Sequence, residues 1–166
     1  MAPQVQCLGS QHDRESFTCG VPEIDTYLKK RARQDYKRSI STPYFLSLDD
    51  GAIVGFYTLS SLSIKSDCFP PNISKKLPRY NEMPATLIGR LAVDMKFQQQ
   101  GYGSVLLMDA LCRTWQHAKV IASLVAIVDA KNDQAKQFYK AYGFEEFPDQ
   151  KNRLFLPMEQ IKKLFA

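Results

Sequence analysis

The segment LIGRLAVDMKFQQQGYGSVLLMDAL, residues 87–111, constrains this chain more than any other. An apolar run passes into three glutamines, then Gly101 and Gly103, and then directly into an amphipathic helix. Leu107, Leu111 and Trp115 fall four apart, and Val105, Met108 and Cys112 fill the neighbouring positions, so Ser104 to Trp115 reads as that helix. A turn from strand to helix needs one glycine; a second, two residues further on, implies that something approaches the backbone closely. The first helical turn leaves up to four N–H groups without partners at the positive end of the macrodipole, and together they attract phosphate. In QQQGYGS the amides of Gln98, Gln99, Gln100, Gly101, Tyr102, Gly103 and Ser104 can curl around a pyrophosphate, and the Ser104 hydroxyl can join them. The ordinary alternative is a pair of turn glycines with no ligand. A Walker loop would need Gly-Lys-Ser/Thr, which is missing, and a dinucleotide fingerprint would need glycine or alanine where Leu106 stands.

Around this unit the rest of the chain falls into place. Pro22 to about Arg38 reads as one helix, with Ile24, Tyr27, Leu28 and Arg31 at helical spacing. PYFLSL and AIVGFYTLSSLSI, joined by DDG, read as an antiparallel hairpin. Residues 67–84 hold four prolines and form an irregular excursion that returns to ATLIGRLAVD. VIASLVAIVDA is a buried strand, and NDQAKQFYKAYGF a short helix capped by Asn132 or Asp133 and stopped by Gly143. A strand near RLFLPM and a terminal helix EQIKKLFA complete the order. Helix, hairpin, strand, helix, strand, helix, strand describes an α/β (α+β) fold on one sheet, and 166 residues fit a single domain, 1–166.

Composition excludes more than it identifies. With 45% apolar and 23% charged residues, no apolar run of spanning length and a start, MAPQVQCLGS, unlike a signal peptide, the chain is expected to be cytoplasmic and without a membrane partner. Cys7, Cys19, Cys68 and Cys112 lie far apart, and only His12 and His117 accompany them, so free thiols and no metal site are expected. The net charge of +5 is uneven: KKRARQDYKR, residues 29–38, carries six cations and one acid, a patch able to face a polyanion.

Taken together, LAVDMKFQQQGYGSVLL and DQAKQFYKAYGF resemble the GNAT superfamily of N-acetyltransferases. Gln98, Gly101 and Gly103 match its acyl-CoA loop, Gln/Arg-x-x-Gly-x-Gly/Ala, and Phe138, Tyr139, Gly143 and Phe144 match its Phe-Tyr-x-x-x-Gly-Phe helix. The resemblance implies acetyl-CoA as cofactor and a single-domain GNAT fold, a mixed, mostly antiparallel sheet flanked by helices. FTCGVPEIDTYLKKRARQD, GFYTLSSLSI, LPRYNEMPATLIGRLAVD and VDAKNDQAKQFYKAYGF are further similar to the GNAT toxins of bacterial type II toxin–antitoxin modules, the TacT/AtaT group. That similarity implies acetylation of the α-amine of aminoacyl-tRNA, which blocks translation. It also implies a ribbon-helix-helix antitoxin that neutralises the toxin and with it acts as repressor, operator DNA being met only through that complex, and a homodimer. One departure is Ser41 and Thr42, which stand before the aromatic strand where the resemblance leads one to expect an arginine.

Amine acetylation needs a neutral amine, a held thioester and a proton donor for the leaving thiolate. The resemblance puts the Tyr139 hydroxyl near the sulfur of CoA, and a phenol of pKa about 10 can protonate a basic thiolate. The alternative is that Phe138, Tyr139 and Tyr142 are packing residues. No His, Asp or Glu stands out as a general base, and an α-amine of pKa near 8, lowered further by its ester linkage, needs no more than water. By the same resemblance Leu91, Ala92 and Val93 present backbone groups to the pantetheine arm and the thioester carbonyl. Asn132 hydrogen-bonds the pantetheine, although as a helix cap it needs no ligand. Arg90 either reaches the tRNA acceptor end or pairs with a surface acid. Lys29, Arg33 and Lys37 share one helix face with Lys30 and Arg38 beside it; a solvated face is the usual reading, but the excess of cation points to phosphate contact, joined by Lys75, Lys76 and Arg79. Two rivals stay open: a GNAT acting on a small-molecule amine or a protein N-terminus, whose activity survives nuclease, and a regulatory module that binds acyl-CoA without turnover.

Overall fold

The computed structural model describes residues 4–7 and 12–165, which leaves Ala166 of the expected terminal helix, and most of the opening MAPQVQCLGS, outside the described residues. Two compact units emerge, Met1–Ser60 with Ile88–Ala110, and Ser61–Leu87 with Leu111–Ala166.

In the first unit, β1 (Gln4–Cys7) pairs antiparallel with β2 (Thr42–Ser47), and β2 pairs antiparallel with β3 (Ile53–Lys65). The β2–β3 hairpin is the one expected; Gly51 at φ +88 supplies the left-handed residue its turn requires. Phe45 stands opposite Phe56, and both pack with Phe17, Tyr27, Leu28 and Ala92 in one apolar cluster. The expected single helix is two, α1 (Pro22–Lys30) and α2 (Ala32–Lys37), separated at Arg31, where φ −122 interrupts the ladder. Asp25 lies in the first turn of α1 and accepts the Cys19 amide at 2.9 Å, fixing the entry to that helix. Gly55 on β3 is obligatory for space, because a Cβ there would lie 2.7 Å from both Ala92 O and Leu106 Cδ1.

In the second unit the Pro-rich excursion is more ordered than expected: a 3₁₀ turn (Ser66–Cys68) leads to α3 (Pro71–Ser74), and Pro71 sits where a helix start tolerates the missing N–H. It also ends earlier than expected, since β4 runs Glu82–Val93. β5 is Val125–Asp129, shorter than VIASLVAIVDA. Val120 and Ile121 are 85% and 78% exposed and donate their amides to His117 O, so they belong to the turn after α4 (Tyr102–His117). β7 (Gln150–Pro157) pairs antiparallel with β5 and with a strand not expected, β6 (Glu145–Phe147). Phe69, Phe147 and Phe155 form an aromatic cluster over Val125 and Ile127. α5 (Asp133–Lys140) and α6 (Met158–Phe165) complete the chain, and the strand order is β1-β2-β3-β4-β5-β7-β6. Among the described residues no disulfide joins the four cysteines, and no helix is long and apolar enough to cross a membrane.

Candidate active site

In the first unit, β4 reaches the glycine loop through an irregularity. Arg90 adopts φ +50, a left-handed backbone that a non-glycine residue takes only against a steric penalty, and which often marks a functional position. Its exposed side chain lies over Tyr27, with the guanidinium carbon 3.7 Å from the ring centroid. It makes no ion pair among the described residues, so the pairing with a surface acid is not what is found. The Tyr27 phenol is pushed up by burial, with Ser41 and Asp35 beside it. Ser41, where an arginine was expected, is therefore a buried residue, 7% exposed.

Past Val93 the chain turns on Asp94, only 3% exposed, whose carboxylate accepts the Thr18 and Lys96 amides at 3.0 and 2.9 Å. Gln98 follows, and its side-chain amide donates to Cys19 O and Val93 O, each at 2.9 Å. Gln100 makes a longer bond to Lys96 O at 3.4 Å, and Tyr102 meets the edge of Phe97. Neither the Asp94 nor the Gln98 anchor was legible beforehand. Gln99 and Gly101 are left-handed, at φ +64 and +85. A Cβ on Gly101 would meet nothing within 4 Å among the described residues, which leave that side open. α4 begins at Tyr102, two residues before the expected start at Ser104, so Gly103 and Ser104 lie inside its first turn. The first bond at this end runs from Val105 N to Gly101 O at 3.3 Å, so the Tyr102, Gly103 and Ser104 amides have no helical acceptor, and the turn holds no acid to offset its positive end. Leu91, Ala92 and Val93 close β4 just before this loop, with Ala92 buried.

The basic run does not form one stripe. Lys29 and Lys30 end α1, Arg33 and Lys37 lie on α2, and Arg38 follows it; Lys30, Lys37 and Arg38 are exposed, whereas Lys29 and Arg33 are half-buried.

In the second unit, Asn132 is the N-cap of α5; its side-chain oxygen accepts the Ala135 amide at 2.8 Å, which leaves its NH₂ group to donate elsewhere. Gly143, at φ +98, ends the turn after the helix. Tyr139 is 6% exposed and meets Phe138 and Phe144 edge-on at 5.3 and 5.6 Å. Burial first, and the Asp129 carboxylate second, push its phenol up to about 12. Asp129 is itself held by Arg153, Nε to Oδ1 at 2.7 Å and Nη2 to Oδ2 at 3.0 Å. The expected pKa of about 10 is thus corrected upward: the hydroxyl keeps its proton throughout the physiological range, and releasing it costs about 3 kcal/mol more than for a free phenol. Lys75 and Arg79 line an open cleft of about 610 Å³ with Phe69 and Leu77; Lys76 is not part of it.

A family model for acetyltransferase (GNAT) domains matches residues 41–146, a span that includes the loop, α4 and α5. The chain belongs to the GNAT acetyltransferases. This GNAT protein is 38% identical, over 93% of its length and 91% of the other's, to a tRNA-acetylating toxin of Mycobacterium tuberculosis. It is 32% identical, over 95% and 91%, to a probable toxin TacT of Sinorhizobium fredii. Among solved structures, a tyrosine-to-phenylalanine mutant of KacT superposes with TM-score 0.93 at 29% identity, covering 99% of this chain and 100% of that one. AtaT complexed with acetyl-methionyl-tRNAfMet gives TM-score 0.90 at 27% identity, covering 99% of each chain. AtaTR bound with acetyl-CoA gives 0.87 at 26%, again over 99% of each.

Proposed function

We propose that this protein is the toxin of a toxin–antitoxin pair, which transfers the acetyl group of acetyl-CoA to the α-amine of aminoacyl-tRNA and so stops translation. The observation that carries this reading is the 38% identity, across 93% of the chain, to a protein described as a tRNA-acetylating toxin. The loop fits the cofactor: the side of Gly101 is open, and the start of α4 presents uncompensated positive charge.

Acetyl-CoA, when bound, supplies the acetyl group activated as a thioester. We assign its pyrophosphate to the amides of Gln98, Gln99, Gln100, Gly101, Tyr102, Gly103 and Ser104. Its pantetheine arm falls to the backbone of Leu91, Ala92 and Val93 and to the side-chain NH₂ of Asn132. Tyr139 Oη holds a proton that burial prevents from leaving early and gives it to the departing sulfur, which is most basic as its bond to carbon breaks. No side-chain base is required, because an amine of pKa near 8 or below is partly neutral at cellular pH, and the proton its nitrogen sheds on becoming an amide passes to water. Arg90 meets phosphate at the acceptor end, and Lys29, Lys30, Arg33, Lys37 and Arg38 add charge that screens with salt. The same reading gives a cytoplasmic location, a homodimer, a ribbon-helix-helix antitoxin and operator DNA bound through that antitoxin. A solved KacTA–DNA complex, TM-score 0.82 at 28% identity over 98% of each chain, supports DNA as a partner.

Labelled acetyl-CoA offered with a total pool of charged tRNA, and with the same pool deacylated, tests this. Label is expected on charged tRNA alone. Label appearing instead on small amines or protein N-termini, insensitive to nuclease, would move the protein to the first rival reading.

A further inference from the structure

Arg90 is unusual three times over: its backbone is left-handed inside a strand, its exposed side chain makes no ion pair among the described residues, and its guanidinium carbon sits over the Tyr27 ring, 3.7 Å from the centroid. Tyr27 is unusual in the opposite sense. It is 5% exposed and packed with Leu28, Ala32, Phe45, Phe56 and Ala92, so its ring cannot follow a moving partner. Its buried hydroxyl lies beside Ser41 and Asp35, yet it has no hydrogen-bond partner among the described residues, as is also true of Ser41 Oγ. The polar end of this tyrosine is therefore not what anchors it; the packed ring is.

A guanidinium whose carbon is held over an aromatic face keeps N–H groups directed away from the ring, and these can take a phosphate in bidentate fashion. We infer that Tyr27 is a positioning residue, whose immobile ring holds the Arg90 guanidinium in the orientation in which Arg90 meets phosphate of the charged tRNA; this rests on the role proposed above for Arg90. The two halves of the device are complementary. The left-handed backbone at residue 90 sets the direction in which the side chain leaves β4, and the ring removes the rotamer freedom that a long exposed arginine would otherwise lose on binding.

The test uses Tyr27→Phe, Tyr27→Leu, Arg90→Ala and the Tyr27→Leu/Arg90→Ala double variant, with steady-state kinetics on charged tRNA at saturating acetyl-CoA. Tyr27→Phe keeps the face and is expected to stay within about twofold of wild type, whereas Tyr27→Leu raises the KM for charged tRNA about tenfold. In both, kcat and the KM for acetyl-CoA are unchanged, which a general loosening of the core would not spare. In the Arg90→Ala background Tyr27→Leu is expected to add nothing. The Arg90 Nε–H proton resonance, displaced by the ring, is expected to persist in Tyr27→Phe and revert in Tyr27→Leu. A Tyr27→Leu protein with unchanged tRNA KM, or with an equal penalty in the Arg90→Ala background, overturns the positioning role alone. An unchanged tRNA KM in Arg90→Ala overturns the Arg90 assignment, and the positioning role with it.

Discussion

In the loop from Asp94 to Ser104 the side chains grip the protein and the backbone is left for a ligand, whereas in α5 the backbone is closed and one side chain is left for chemistry. Asp94 and Gln98 hold four backbone groups between them: the Thr18 and Lys96 amides and the Cys19 and Val93 carbonyls. α5 is capped by Asn132 and tied to β6 by Lys140 and Lys136, whose ammonium groups lie 2.8 and 3.5 Å from Glu146, and Tyr139 is the residue it offers. The difference separates affinity from turnover. On the proposed function, a loop that binds through amides is altered by whatever moves its frame, and a helix that acts through one hydroxyl is altered by one atom.

The sharpest way to break that division is Tyr139→Phe, which is expected to lower kcat at least about 100-fold while leaving acetyl-CoA affinity unchanged. Its pH dependence sharpens the point. The phenol must be protonated to donate, and burial raises its pKa to about 12, so the wild-type rate rises with pH as the substrate amine loses its proton and then stays level past pH 10. A rate that falls through pH 9 to 10 would mean the phenol is not shielded, or that another acid acts. Next in size is Asp94→Ala, which strands two amides in a buried place. About 2–3 kcal/mol of stability is expected to be lost in denaturant unfolding, and the KM for acetyl-CoA to rise about tenfold. A large stability loss with unaltered acetyl-CoA KM would detach the frame from the ligand. The smallest and most discriminating pair is Gly101→Ala against Gly143→Ala. Both are left-handed, so each is expected to cost about 1 kcal/mol. At Gly101, where a Cβ meets no atom of the described residues, the cost is expected as a several-fold rise in acetyl-CoA KM; at Gly143, 3.5 Å from Leu156, as a Tm lower by about 2–4 °C with normal kinetics.

How far the sequence led follows from the range of the interactions involved. The β2–β3 hairpin, α4 and the Asn132 cap are written in short-range signals, an Asp-Gly turn, a four-residue period and a capping residue, and these were readable. The break at Arg31 carries no glycine or proline, so the periodicity ran through it and drew one cationic stripe over two helices. β6 is three residues long, and β1 four, too short for alternation to register. Val120 and Ile121 look like strand by composition, yet both amides close the end of α4 onto one carbonyl. In the site, the glycines and Tyr139 announced themselves through a family pattern, but the Asp94 bond to Thr18 spans 76 residues and the Gln98 bond to Cys19 spans 79. The placement of Arg90 over Tyr27 likewise joins residues far apart in the chain. No local reading reaches such distances, and burial, with the Asp129 carboxylate second, turned Tyr139 from an ordinary phenol into a guarded one.

The doubly donating amide of Gln98 has a consequence for how this protein can change over generations. Since the shape of the loop is fixed by Gln98 and Asp94, the neighbouring letters at 100 and 102 can be rewritten without dismantling the scaffold. Selection can therefore explore side chains at those positions while the inherited architecture stays intact. The middle glutamine is less free, since its left-handed backbone favours glycine or asparagine among replacements.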